Sequence, residues 1–490
     1  MFKNRFLLFT AVFFAAAVSL PYIWGMMMSA PGWHFTGFTR NIDDMAVYMS
    51  WVTQNASGGP VTYNLFQPDR GGLQFNVYTI ALGLLARALA RVCSVPSAAA
   101  LHAARAVQAF FLPFAFYSFS GFFLKKESFR KWALLVFLFG SGFGFLCPAS
   151  VDRWQPEAIT FMSAYLNPLF TVSLILMLLC LKNVFSGKPF FGAVFLLLLG
   201  NIHTYDVVIV AALWGGYAVR ELVRSKDLRA FGANLAWGLF GSLSTLFNLY
   251  LYLRDPIYKS RVDTVISSPE PWYVLTGFGL PLLLAFASLY MYRKGTLDIR
   301  KIWIAVFWLV AGLAVIYIPF SQQRKFIMGY MIPVALLAGP AAAILFSRAK
   351  NAKRIAAAAF VALIAVTNIA NMGQDMSLLL SNQTAARFCP YISGEDTEIM
   401  EWVKKNTSLC CDVITAPPQL ALLIPGYTGR RVYYGHWSET PEYNKKLKEY
   451  MEMCRGGRLA GSVAILPADA ENAPAHTIYK TQSYKIVLPE

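Results

Sequence analysis

The stretch G-F-T-R-N-I-D-D-M-A-V-Y at residues 37–48 decides how the rest of the chain is interpreted. It follows an apolar run at 6–28 that is about long enough to cross a bilayer. Its two adjacent acids, Asp43 and Asp44, precede Tyr48, and the spacing of four residues places Asp44 and Tyr48 on one face of a helix. Two interpretations are open. The acids form a catalytic cluster, or they only stabilise the positive N-terminus of a surface helix.

Composition identifies the class of protein. Of 490 residues, 57% are hydrophobic and 14% are charged, whereas soluble domains carry about 25% charged residues. The chain is therefore predicted to be an integral membrane protein with the lipid bilayer as its surroundings. Its net charge of +17 comes from short basic clusters between apolar runs, which orient spans and do not predict nucleic-acid binding. No Walker loop, dinucleotide fingerprint or zinc-type Cys/His spacing is present.

Apolar segments recur along the first three quarters of the chain. The run at 6–28 follows Lys3 and Arg5 and is interpreted as a first span that starts in the cytoplasm. A cleaved signal peptide is the alternative, but the run is long for one and lacks a clear small-residue cleavage site. The further segments lie at 98–124, 132–148, 166–181, 189–202, 204–219, 230–253, 273–292, 302–320, 326–347 and 355–372.

The run at 73–92 is ambiguous, and the distribution of positive charge decides it. If it spans the membrane, four basic clusters near 125–131, 220–229, 293–301 and 348–354 fall outside, against the positive-inside rule. Arg87 and Arg91 share one helical face, which is typical of an interfacial helix. We therefore predict eleven spans in a bacterial inner (plasma) membrane. A first external loop at 29–97 would carry two juxtamembrane helices.

After residue 372 the composition becomes that of a soluble domain. Alternating short helices and strands predict a small α/β domain at 373–490, extracytoplasmic, behind a membrane domain at 1–372. Four cysteines lie in this region, where an oxidising compartment would permit a disulfide whose pairing the sequence does not give: Cys389, Cys410, Cys411 and Cys454.

Other polar residues predicted on the external side could bind substrate. Asp69 and Arg70 precede two glycines, and an Arg there could hold an anionic headgroup, although an ordinary turn is the alternative. Asp152 and Glu157 could join Asp43 and Asp44 in binding sugar hydroxyls or a divalent cation, Mg²⁺ or Mn²⁺, or could be solvated loop charges.

Three further elements complete the set of candidate residues. In N-I-H-T-Y-D at 201–206, His203 and Asp206 are ionisable groups at membrane depth, which either serve function or pair with each other. Arg324 and Lys325 could grip a lipid phosphate or snorkel to the interface. His436 lies in the string R-R-V-Y-Y-G-H-W at 430–437, which suits sugar or phosphate contact or is strand and turn.

These residues resemble the GT-C superfamily of membrane glycosyltransferases, of the polyprenyl-phosphate-sugar-dependent, family 39-like type. The family's first external loop commonly carries Asp-Glu-x-x-Tyr, and Asp44-Met45-Ala46-Val47-Tyr48 matches it with Met in place of Glu. Asp69-Arg70-Gly71-Gly72 is similar in charge order to the family's Glu-Lys-Pro-Pro but differs in identity. The Tyr434-Gly435-His436-Trp437 stretch is similar to a feature of bacterial relatives.

The resemblance implies an inverting transfer of a sugar from a polyprenyl-phosphate donor to an extracytoplasmic acceptor, which is a glycan, lipid or protein. Asp44 would be the base, Asp43 would orient the acceptor, and Arg324 with Arg70 would bind the phosphate. A transporter or lipid flippase, or a non-catalytic lipid-binding assembly subunit, is the alternative. Internal repeats that would favour a transporter are not visible in the sequence.

Overall fold

The computed structural model describes residues 4–255, 257–258, 265–347, 353–381, 390–409, 411–458, 460–470 and 475–489. The chain forms two compact units. The first consists of Met1–Leu20, Arg105–Leu249 and Val265–Gln374; the second consists of Pro21–Ala104, Tyr250–Thr264 and Asp375–Glu490. The second unit therefore combines nearly all of the predicted C-terminal domain with the whole of the predicted first external loop at 29–97. Cys389 and Cys410 lie outside the described residues.

Most of the chain is helical. The helices, in chain order, are α1 (Arg5–Met27), α2 (Ile42–Ser57), α3 (Val77–Leu89), α4 (Pro96–Ser120), α5 (Glu127–Phe139), α6 (Val151–Trp154), α7 (Thr160–Leu166), α8 (Pro168–Phe185), α9 (Pro189–Ile202), α10 (Asp206–Ser225), α11 (Leu228–Gly241), α12 (Leu243–Arg254), α13 (Pro271–Arg293), α14 (Ile302–Val315), α15 (Met331–Ser347), α16 (Lys353–Ile364), α17 (Val366–Ser381), α18 (Gly394–Asn406), α19 (Pro418–Thr428) and α20 (Tyr443–Met453). Single 3₁₀ turns lie at Pro156–Ala158 and Gln323–Ile327.

Side-chain caps explain where several of these helices begin. Asn167 accepts from the N–H of Leu169 at the start of α8, and Pro168 occupies the first helical position. Asp227 caps α11 in the same way. At α18, Ser393 and Asp396 form a reciprocal capping box that satisfies two otherwise unpaired N–H groups.

Five helices among the described residues are long and apolar enough to cross a membrane, or six if α16 and α17, which meet at a 65° bend, are counted as one span. The predicted multi-pass helical architecture is confirmed, but the count of eleven spans is not. Several predicted spans are interrupted or short: the segment at 230–253 is split into α11 and α12, and α5 has 13 residues. A helix of that length rises about 20 Å, less than the roughly 30 Å hydrocarbon layer.

The second unit contains the predicted C-terminal sheet. Its strands are β5 (Val413–Thr415), β6 (Arg431–Val432), β7 (Val463–Pro467), β8 (Ala475–Lys480) and β9 (Tyr484–Pro489), in the order β6-β5-β7-β9-β8. β5 runs parallel to β6 and β7, whereas β9 is antiparallel to β7 and β8. The prediction of a small α/β region at the C-terminus is confirmed.

The predicted first external loop and the C-terminal region share one core. Ala46, Val47 and Trp51 of α2 are buried in the same cluster as residues of α19 and of the sheet, such as Leu420 and Ile465. The short strands β1 (Trp33–Phe35) and β4 (Tyr391–Ser393) pair antiparallel, and β2 (Val61–Thr62) pairs with β3 (Gln74–Phe75). The segments that precede and follow α2 in the sequence are thus both fixed by strand pairing.

Candidate active site

The two acids of the opening stretch lie in the first turn of α2. This is where the helix dipole favours carboxylates. Asn41, just before the helix, adopts a left-handed backbone with φ of 54°, and its Nδ2 donates to Oδ2 of Asp44 at 2.7 Å. Asp43 and Asp44 therefore do stabilise a helix N-terminus, while their side chains stay 36% and 54% exposed. Both remain accessible to a substrate.

His436 joins this pair from a segment almost four hundred residues away. Its side chain is only 1% exposed, and Nε2 lies 3.6 Å from Oδ1 of Asp44 and 4.0 Å from Oδ2 of Asp43. Nδ1 accepts from the backbone N–H of Ser438 at 3.1 Å and of Glu439 at 3.3 Å. Because Nδ1 is an acceptor, the proton lies on Nε2 and faces the carboxylates. Nε2 has no hydrogen-bond partner within the described parts of the chain.

A tight turn after β6 positions His436. The hydroxyl of Thr440 accepts from the N–H of Gly435 at 3.1 Å and donates to the carbonyl of Phe66 at 2.7 Å. A Cβ at position 435 would lie 2.6 Å from the carbonyl oxygen of Ala421 and 2.8 Å from the Phe66 ring. Only glycine fits this close approach. The turn therefore fixes the imidazole by packing and backbone hydrogen bonds.

Trp437 connects the turn to the acids. Its Nε1 donates to Oδ2 of Asp43 at 3.0 Å, and its ring lies 5.9 Å from that of His436 at an angle of 21°. The indole is nevertheless 51% exposed. Asp43, Asp44, His436 and Trp437 thus form a cluster of two carboxylates, one imidazole and one aromatic plane, all within the second unit.

The remaining predicted residues of the second unit lie farther along the chain. Tyr48 is half-buried one turn after Asp44, with its ring 5.2 Å from that of Trp51. Asp69 and Arg70 are exposed, and the Arg70 guanidinium lies over the Tyr63 ring at 4.4 Å. An exposed guanidinium stacked on one ring keeps its hydrogen-bond donors available.

Asp152, in the first unit, accepts hydrogen bonds from the loop that precedes it. The carboxylate is fully buried and accepts from the N–H of Gly142 at 2.8 Å, the N–H of Gly144 at 3.1 Å and the hydroxyl of Ser150 at 2.6 Å. Burial raises the pKa of this carboxyl, and the hydrogen bonds oppose the rise. Both oxygens are occupied by the 142–150 segment, so the geometry favours a structural role over the predicted binding of sugar or cation.

Three other predicted residues of the first unit are buried with unsatisfied polar atoms. Glu157 is 6% exposed and Asp206 is fully buried; Oε2 of Glu157 and both carboxylate oxygens of Asp206 lack a hydrogen bond among the described residues. Nδ1 of His203 lies 2.9 Å from Oδ1 of Asp206, but the contact does not meet hydrogen-bond geometry. The two residues are close enough to pair, as one of the two sequence interpretations states.

The predicted cations lie on aromatic rings. Arg324 stacks over Trp154 at 5.2 Å, and Lys325 lies over Tyr205 at 4.9 Å. The side chain of Gln155 donates to the carbonyl of Arg324 at 2.8 Å, so the 3₁₀ turn at Gln323–Ile327 is tied to the segment that carries Glu157. Cation–π contacts orient the charges without neutralising them.

The charged candidate residues are evident in the sequence, whereas the contacts that two tryptophans make with them are not. Trp437 is one member of the polar-aromatic string, but its contact with Asp43 cannot be predicted from the sequence. Trp154, over which Arg324 stacks, is not among the predicted residues. The common signal is a tryptophan next to, or two residues from, an ionisable residue. Among the described residues, no group of three or more His, Cys, Asp or Glu side chains could hold a metal ion.

Comparison with known proteins gives matches only at the level of structure. No protein-family model matches the chain, and no curated protein matches its sequence. The chain is similar to ArnT from Cupriavidus metallidurans in the apo state, with 14% identity, 97% of each chain covered and a TM-score of 0.46. It is also similar to the oligosaccharyltransferase of Archaeoglobus fulgidus in the apo form, with 11% identity and a TM-score of 0.52.

The second match covers 89% of this chain and 65% of the oligosaccharyltransferase. At 11% identity the likeness concerns the fold and carries no information on substrates. It confirms the architecture that the acidic motif and the succession of apolar segments had indicated. The chain is a membrane protein with the GT-C fold.

Proposed function

We propose that this chain is a membrane glycosyltransferase that transfers one sugar from a polyprenyl-phosphate donor to an extracytoplasmic acceptor with inversion at the anomeric carbon. The cluster of Asp43, Asp44 and His436 carries this proposal, because it places a carboxylate pair beside a buried imidazole in a chain with the GT-C fold. An exposed carboxylate that is held in place is the group such a transfer requires.

The transfer forms a bond between the acceptor oxygen and the anomeric carbon and breaks the bond from that carbon to the phosphate oxygen. The acceptor proton passes to Asp44, and the bonding electron pair leaves with the lipid phosphate. Asp43, which Trp437 holds by a 3.0 Å hydrogen bond, orients the acceptor hydroxyl. Nε2–H of His436 lies 3.6 Å from Oδ1 of Asp44 without a hydrogen bond in this structure; we expect the contact to shorten and to orient the base once substrate is bound.

The departing phosphate needs cations. Arg324 and Lys325 are supported in this role because neither makes a salt bridge in the described residues and both are oriented by an aromatic ring. The contact of Arg70 with the Tyr63 ring likewise orients its guanidinium and supports Arg70 as a phosphate ligand. Arginine binds phosphate oxygens in a planar fork, which makes it the preferred ligand for a lipid phosphate.

The decisive test replaces the base. Purified protein in nanodiscs is incubated with radiolabelled polyprenyl-phosphate sugars and cell-envelope acceptor extracts, and product is counted. We expect Asp44→Asn to lower turnover by about 10²–10⁴-fold, the range for a lost general base, while donor binding and the melting temperature stay unchanged. Asp298→Asn, an exposed acid in the first unit, is the matched control. Turnover near the wild-type rate in Asp44→Asn would overturn the assignment.

A second test concerns the phosphate. Arg324→Ala should weaken binding of the polyprenyl-phosphate sugar by about tenfold or more, because a hydrogen bond to a charged group contributes about 1.5–3 kcal/mol. Arg293→Ala, at the exposed end of α13, removes a cation of the same kind elsewhere. An unchanged donor Kd in Arg324→Ala would remove this residue from the phosphate site.

Orientation and metal dependence are part of the same proposal. The basic clusters support a cytoplasmic N-terminus and an extracytoplasmic second unit, which labelling of single cysteines from each side of the membrane would test. Among the described residues, no group of three or more His, Cys, Asp or Glu side chains could hold Mg²⁺ or Mn²⁺, but Mg²⁺ is commonly bound by only one or two carboxylates together with water and substrate phosphate. Assaying turnover with and without a chelator addresses that point directly.

A further inference from the structure

A cavity of about 540 Å³ opens beside Trp437 in the second unit. Its size falls within the roughly 300–1,000 Å³ typical of small-molecule sites. The wall is formed by one short segment of chain at the turn before α20 and in its first residues. Its lining includes Trp437, Ser438, Glu442, Tyr443, Asn444 and Lys445.

The side chain of Trp437 has a fixed orientation but is half exposed. The hydrogen bond from its Nε1 to Asp43 sets the orientation of the indole, yet half of the side chain is exposed. Leaving a large aromatic surface in water forgoes the stabilisation that its burial would contribute. The negative face of an indole attracts the C–H groups of a sugar ring, which carry a small positive charge. A rigid, exposed indole at the edge of a polar cavity suits a sugar.

The polar groups of the cavity also match a sugar. Glu442 and Lys445 form an exposed ion pair at 3.2 Å, in which each charged group retains hydrogen-bonding capacity. Asn444 is exposed and offers both an amide donor and an acceptor, and the hydroxyl of Tyr443 offers the same. Vicinal sugar hydroxyls are each a donor and an acceptor, so this mixed set can satisfy them.

We propose that this cavity is the acceptor subsite and that the acceptor is a carbohydrate, with one ring stacked on Trp437. The inference rests on the proposed function, since it deepens the role of the same cluster. Because Trp437 is hydrogen-bonded to Asp43, a sugar on the indole has a hydroxyl beside the carboxylates. A peptide or lipid acceptor would not need this arrangement of an aromatic plane and mixed hydrogen-bonding groups.

Saturation-transfer NMR on the full-length protein in nanodiscs tests the proposal without donor. The probes are soluble trisaccharides of glucose, mannose, galactose, rhamnose, arabinose and N-acetylglucosamine. We expect at least one to bind, and Trp437→Ala to weaken that binding by tenfold or more. Trp437→Phe keeps an aromatic plane and should lose less than Trp437→Ala. Trp272→Ala, which removes an exposed indole from the first unit, should leave binding unchanged.

Three results separate this proposal from the proposed function. Binding that is lost in Trp437→Ala but retained in Asp44→Asn supports a carbohydrate subsite, whether or not turnover depends on Asp44. Loss of turnover in Asp44→Asn with no Trp437-dependent binding of any probe overturns the subsite and leaves the proposed reaction standing. Equal weakening by Trp437→Ala and Trp272→Ala shows non-specific stacking and also overturns it.

Discussion

His436 presents a single group to the two acids of α2. Two backbone N–H groups occupy Nδ1, and Nε2 faces Asp43 and Asp44. In the proposed reaction its contribution is one of positioning: Nε2–H would orient the carboxylates without taking the acceptor proton. A substitution that keeps a donor at the same place should preserve part of this effect.

His436→Gln and His436→Ala form an informative pair. The terminal amide of glutamine can place an N–H near the position of Nε2, whereas alanine removes the donor and leaves a cavity. We expect His436→Ala to lower kcat by about tenfold or more and His436→Gln to retain more of it, with KM for the donor unchanged in both. Equal kcat values in the two variants would contradict a positioning role for Nε2–H, and melting temperatures control for folding.

The sequence identified these residues singly. Asp43 and Asp44 are candidates because they lie just after a predicted span, and His436 is a candidate because it lies in a polar-aromatic string. The two segments are almost four hundred residues apart in the sequence. Their approach depends on the packing of α2 against α19 and the β6 turn, which no periodicity encodes.

At the scale of elements, α6 works as an anchor for the loop that precedes it. Asp152 in this four-residue helix accepts two backbone N–H groups and one hydroxyl from residues 142–150. A Cβ at Gly144 would lie 2.6 Å from Oδ1 of Asp152, so the loop wraps closely around the carboxylate. The sequence predicted solvated or substrate-binding acids at 149–165 because burial cannot be read from a loop's composition.

Asp152→Asn tests this anchor through its pH dependence. The amide oxygen can accept the two N–H groups and the amide nitrogen can donate to Ser150, so the hydrogen bonds are conserved. Burial raises the pKa of Asp152 in the folded state, so its stabilising contribution is present at low pH and is lost as pH rises through the folded pKa. The melting temperature of Asp152→Asn minus that of the wild type should therefore increase between about pH 4 and about pH 8. A difference that falls over this range would contradict the assignment.

The secondary structure itself was partly predictable. The alternating short helices and strands that periodicity predicts after residue 372 agree with α18, α20 and β7–β9. Helix α19 could not be predicted from the sequence, because prolines usually interrupt helices and three lie here: Pro417, Pro418 and Pro425. Here Pro418 occupies the first turn, where its missing N–H costs little.

At the scale of the whole molecule, the second unit is assembled from three separate stretches of chain. The apolar face of α2, with Ala46, Val47 and Trp51, packs in the core of the C-terminal sheet. Full burial of a side chain the size of Val47 contributes roughly 1.5–3 kcal/mol. We therefore expect α2, in the predicted first external loop, to depend on the C-terminal region for its fold.

Truncation after Gln374 tests this dependence. Without residues 375–490, the apolar face of α2 loses its partner and residues 42–57 should become sensitive to thermolysin, because cleavage follows the population of the open form. Leu420→Ala, in the shared core, should increase sensitivity in the same way to a smaller degree, whereas Leu409→Ala, exposed at 53%, should not. A truncated protein with an intact, protected α2 would contradict a shared core.

The sequence by itself determined the membrane class, the helical architecture, the C-terminal α/β region and the identity of the charged candidates, because these depend on composition, hydrophobic periodicity and local motifs. Tertiary structure alone decided that α2 and the β6 turn share a core, that His436 and Trp437 face Asp43 and Asp44, and that Asp152 holds a loop. These features depend on contacts between distant segments, and such contacts follow from the packing of whole surfaces, which residue spacing along the chain does not specify.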